Sequence, residues 1–169
     1  MKLTRLIPMA AVVAATVAAG CSPMPSTAAQ VGDARISEAQ LTRVAEGCES
    51  VGLGPDQVQR TQLLMSEILG LIAEDLAADN GQTVTDEEAQ AVLRETNGTS
   101  PALGNPDCAR VAASGAKLQI LVTKLGENAD IAALQQQFEA VDVQLNPRYG
   151  TWDPAGAGIT GTGSLSVPS

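Results

Sequence analysis

The spacing of hydrophobic positions changes several times along the chain, and each change marks an element. Leu6 to Ala19 is an uncharged apolar run of 14 residues, too short to cross a bilayer core of ~30 Å as a helix. Preceded by Lys2 and Arg5, it reads as the apolar segment of a secretory signal peptide over residues 1–20. Residues 21–28 hold Pro, Ser and Thr around one Met, a composition that neither packs nor forms helix and reads as a tether. Val31 and Ile36 then flank a Gly32-Asp33 turn, the signal of a short hairpin. Ser37 with Gln40 forms a capping box, and Leu41, Val44, Ala45, Cys48 and Val51 follow at helical steps until Gly52.

Beyond the Gly-Leu-Gly-Pro break, Asp56 is expected to cap a long helix reaching about Asp79, with Val58, Leu63, Leu64, Ile68, Leu71, Ile72 and Leu76 on it and Met65 and Leu69 widening the stripe. A helix apolar over so much of its girth is usually buried among others; the alternative is that part of it lines a groove. Thr85 and Glu88 form a second capping box. Asp86, Glu87 and Glu88 sit at the positive end of that helix dipole and read as capping and solvation, not as a metal site, because neighbours point in different directions round a helix. A loop over residues 97–107 precedes a helix from about Pro106 to Leu125, and Asp130 caps a last one carrying Ile131, Leu134 and Phe138. The period then falls to two: Val141, Val143 and Leu145 alternate with Asp142, Gln144 and Asn146, a half-buried strand. Tyr149 and Trp152 follow together, expected to anchor the chain end on the core in preference to stacking on a ligand. From Pro154 to Ser169 the chain is rich in Gly, Ser and Thr and reads as a flexible tail.

Composition removes whole classes of chemistry. The 169 residues contain no histidine, so imidazole bases, Ser-His-Asp triads and His-ligated metals are excluded. Catalysis would fall to carboxylates, Lys or Tyr149; the chain reads as not an enzyme, and no cofactor is implied. Ten basic against 19 acidic groups give a charge of −9, the wrong sign for phosphate-backbone binding, and nucleic acid is not an expected partner. With only one Trp, one Tyr and one Phe, the core must be built of Leu, Ile, Val and Ala.

The end of the apolar run, Ala18, Ala19, Gly20 and Cys21, resembles a bacterial lipobox, with Ala18 where Leu is most usual. That resemblance implies cleavage before Cys21 and lipidation of its thiol, placing the protein on the extracytoplasmic face of a bacterial cell membrane; two acyl signals suffice for stable attachment. The competing reading is an ordinary signal peptide that leaves Cys21 a free thiol. Removing residues 1–20 takes away Lys2 and Arg5, so the remaining 149 residues carry 8 basic and 19 acidic groups, net −11. With Cys21 acylated, Cys48 and Cys108 are the two thiols left in an exported chain, and a disulfide between them is expected, two buried reduced cysteines being the alternative.

Residues 29–153 resemble the N-terminal chaperone domain of SurA-type periplasmic foldases. The likeness lies in the opening Val31, Gly32, Asp33, Ala34, Arg35, Ile36, Ser37, with Gly32-Asp33 in place of the usual Asn-Gly, and in the Asn146-to-Asp153 ending. It implies a mainly α fold, a helical body with a small β pairing of N-terminal and C-terminal strands. It implies a role in holding unfolded or exported polypeptides; no parvulin isomerase domain is visible. The expectation is a membrane-anchored lipoprotein with an apolar groove, motivated partly by residues 58–76. Its rival is an envelope adaptor that binds one folded partner or cell-wall component.

Overall fold

In the computed structural model, which describes residues 26–98, 100–126 and 129–161, the chain opens on a hairpin, continues through five helices and returns to the sheet. Strand β1 (Thr27–Val31) turns at Gly32-Asp33 into β2 (Ala34–Ser37). Gly32 has φ +53°, and positive φ at the first turn position lets a two-residue loop follow the twist of the paired strands. The signal peptide, Cys21, most of the tether and residues 162–169 lie outside the described residues.

Helix α1 (Glu38–Ser50) starts at Ser37, whose hydroxyl accepts from Gln40 N at 3.1 Å. Only that half of the expected capping box forms. The Gln40 side chain instead donates to Glu67 at 3.0 Å, because the buried carboxylate needs a donor more than the exposed helix end does. Helix α2 (Arg60–Asp79) begins three residues later than a cap at Asp56 would place it, and no side chain caps it. Pro55, Asp56 and Gln57 close a turn in which Gln57 N and Val58 N both donate to Gly54 O. The turn delivers Val58 into the core, and burying that side chain sets the helix start.

Thr85 and Glu88 complete both halves of the box that opens α3 (Asp86–Asn97). After a 3-10 turn at Pro101–Gly104, the Asn105 side chain accepts from Asp107 N and Cys108 N to start α4 (Pro106–Leu125). Asp130 caps α5 (Ile131–Ala140). Strand β3 (Val143–Leu145) then pairs antiparallel with β1, giving the order β2-β1-β3. The molecule is thus mainly α with small antiparallel sheets, and strands from near both ends of the described chain lie side by side.

Helix α4 packs against α1, α2 and α3. Leu41, Leu64, Ile68, Ile72, Leu76 and Leu121 are at most 1% exposed, each contributing about 1.5–3 kcal/mol by leaving water. The long apolar stripe of α2 is therefore largely core, with Met65, Leu69 and Leu71 only partly buried. Gly70 sets how closely α2 approaches α4: a Cβ there would meet Ser114 Oγ at 2.8 Å. Cys48, near the end of α1, and Cys108, in the first turn of α4, have Cα atoms 4.8 Å apart and sulfurs at the bonding distance of 2.08 Å.

The tail expected from Pro154 onward is ordered at its start. Strand β4 (Thr151–Asp153) pairs with β5 (Gly158–Thr160), with Trp152 opposite Ile159. Composition suggested flexibility there; the two apolar partners, tied by a Thr160 hydroxyl bond to Thr151 O at 3.3 Å, close a hairpin instead.

Candidate functional site

Three clusters of side chains have the burial or chemistry that a site requires. The first lies between α2, α3 and α4. Glu67 is held with its side chain 3% exposed, and its Oε2 accepts from Arg110 Nη1 at 2.6 Å and from Gln40 Nε2 at 3.0 Å. Its Oε1 has no donor among the described residues. Two turns further along, Lys117, with a side chain 4% exposed, pairs with Glu74 and with Asp86, whose Oδ1 is 2.5 Å away. Asp86 is therefore more than part of a solvated helix start. Of the acidic triplet, Glu88 pairs with Lys124 at 2.6 Å and Glu87 faces solvent.

Glu67, Glu74, Asp86, Arg110 and Lys117 line a cleft of about 200 Å³, in which each cation is matched by a carboxylate. Burial acts to lower the Lys117 pKa, but hydrogen bonds to Asp86 and Glu74 outweigh it and hold the ammonium above its ordinary 10.5. Ser114 has no base beside it; its hydroxyl donates to Arg110 O at 3.1 Å. Among the described residues no set of three carboxylate, histidine or cysteine side chains is placed to hold a metal ion. The cleft is an electrostatic strut. Its sequence signal was present in two polar stripes, Glu67, Gly70 and Glu74 on α2 and Arg110, Ser114 and Lys117 on α4, whose opposite charges face each other once the helices pack.

The second cluster ties the chain end to α1. Tyr149, 8% exposed, donates its hydroxyl to Glu38 Oε2 at 2.7 Å, and Arg60 donates to the same oxygen at 2.8 Å. The expectation that Tyr149 anchors the chain end agrees with this geometry. Burial raises the Tyr149 pKa above 10.0, the Glu38 hydrogen bond adds to the rise, and Arg60 opposes it. Raised folded-state values for Tyr149 and Lys117 mean that the stability they contribute is present below the unfolded-state values and lost as pH climbs through the folded ones. Thermal unfolding is expected to be flat in pH from neutrality to about 10 and to fall steeply above it; Tyr149→Phe should make that fall shallower. An unchanged alkaline limb in the variant would remove Tyr149 from the account.

The third cluster is a groove of about 290 Å³ walled by Val143, Leu145, Pro147, Gly150, Thr151 and Trp152. Trp152 packs its ring on Phe138 with centroids 6.4 Å apart, while its Nε1 is buried without an acceptor among the described residues. Tyr149 and Trp152, three residues apart, both pack on the core, and Trp152 also walls the groove. Elsewhere the described surface offers Val122 and Ile131 as its exposed large hydrophobics. No described helix is long and apolar enough to cross a membrane. Comparison with protein-family models, with curated proteins and with solved structures finds no match to this chain.

Proposed function

We propose that the chain is a lipid-anchored extracytoplasmic protein, SurA-like in its helical body, that holds segments of exported polypeptide. The observation that supports this reading is the pairing of β1 with β3: the resemblance implies joined terminal strands around a helical body, and a sheet built from them presents backbone at its edges. The Cys48–Cys108 pair suits an oxidising compartment. Polypeptide is held at modest apolar surface, since α2 spends its stripe on the core. That scarcity also favours the rival reading, an adaptor that grips one folded partner, because a bulk holder of unfolded chains needs a larger adaptable apolar surface.

Two measurements test the proposal. Cys21→Ser is expected to move the protein from the membrane fraction to the soluble one and to abolish labelling by fatty acid; retention of both behaviours would remove the lipid anchor. The full chain in detergent is expected to slow aggregation of several unrelated unfolded proteins, with weak, sequence-tolerant binding and a negative heat-capacity change. Tight capture of one native partner, with no effect on denatured substrates, would replace the holder by the adaptor.

A further inference from the structure

The edge of β3 has hydrogen-bonding groups with nothing to bond. In its ladder with β1, Gly32 N donates to Asp142 O and Asn146 N donates to Ala28 O, both at 2.9 Å. Antiparallel pairs alternate between bonded and unbonded positions, so the Gln30–Gln144 pair is bonded and Val143 and Leu145 turn their N–H and C=O groups away from β1. Among the described residues no strand is hydrogen-bonded to β3 on that side, although β4 packs nearby, and neither residue's backbone bonds elsewhere. The same two residues, with Pro147 and Trp152, wall the 290 Å³ groove. That volume sits at the small end of ligand sites, about 300 Å³, enough for one or two side chains and too little for a folded surface element.

Charge narrows the occupant further. Two carboxylates flank the groove's walls along the chain, Asp142 immediately before β3 and Asp153 at the end of β4, against one cation, Arg148, which lies 3.6 Å from a Glu38 that it shares with Arg60. The charge flanking the groove is thus acidic by one. We propose that an extended, basic polypeptide segment adds as a strand to β3. Its backbone pairs with Val143 and Leu145, its alternate apolar side chains enter the groove beside Trp152, and its Lys or Arg residues face Asp142 and Asp153. Main-chain pairing supplies affinity and alternate side chains supply selectivity. The proposal rests on the polypeptide-holding reading and names where and what it holds.

The test uses the full chain in detergent and short synthetic peptides with Val alternating with Lys or with Glu. The Val–Lys peptide is expected to bind, and the Val–Glu peptide to bind more weakly, with the difference shrinking in high salt. Val143→Pro deletes the outward N–H without removing a β1 ladder bond, a substitution that edge strands tolerate, and is expected to weaken the Val–Lys peptide about tenfold. N-methylation of the peptide gives the same readout with the protein untouched: methyls on one alternate set should abolish binding and on the other leave it. Equal affinity for Val143→Pro and for both methylated sets would overturn strand addition. So would a dimer that dissociates in Val143→Pro while no peptide binds, since the occupant would then be a second copy. Suppression of aggregation that survives Val143→Pro would overturn the groove and leave the holding function standing. Peptide binding without any suppression by the wild-type chain would support the groove and overturn the holding of unfolded clients.

Discussion

Replacing both Cys48 and Cys108 by alanine is expected to lower the unfolding free energy by about 4 kcal/mol. The bridge closes a loop across a sequence separation of 60 residues, and on the chain-entropy account the cross-link restricts the unfolded chain by roughly that amount. It also joins α1 to the first turn of α4, the helix against which α1, α2 and α3 all pack. In urea the midpoint should drop by about 2 M at an ordinary slope of ~2 kcal/mol per M, and wild-type protein with reductant should behave like the variant. Equal midpoints with and without reductant, together with two alkylatable thiols, would mean that the cysteines are unpaired.

Arg110→Met should cost about 3 kcal/mol, because it leaves a buried carboxylate without its cation. Glu67 is 4% exposed, its Oε2 would retain only the Gln40 amide, and its Oε1 already lacks a donor. Glu67→Gln alone should also destabilise, by stranding the half-buried guanidinium. The double variant should recover part of the loss, since replacing both members of a buried pair removes the uncompensated charge. Strict additivity of the two single losses would show that the pair is not coupled and that the cleft is no strut.

Much of this molecule is legible from local chemistry. The Thr85–Glu88 box, the Asp130 cap and the span Pro106–Leu125 follow from a few polar residues set against a 3.6-residue period, and the structure has them where the pattern puts them. Their physics is short-ranged: a side-chain oxygen satisfies helix N–H groups two or three residues away whatever else the chain does. Pairing of Cys48 with Cys108 was expected from counting the thiols left over on the reading that the chain is exported and Cys21 acylated, and the structure places their sulfurs at bonding distance.

Local rules gave the wrong answer where a distant group outbid the nearby one. Gln40 leaves its cap for Glu67, 27 residues away, and burial of Val58 moves the start of α2 to Arg60. Composition marked the chain beyond Pro154 as flexible, yet Trp152 and Ile159 close a hairpin there. The same division holds for the candidate site. An acidic sequence without histidine determined which chemistries are closed to this protein, because those depend on which residue types are present at all. The charged strut and the groove along β3 depend on which faces of α2, α4 and β3 meet, and only tertiary packing decided that: helix and strand periods say which residues share a face, but not what that face is pressed against.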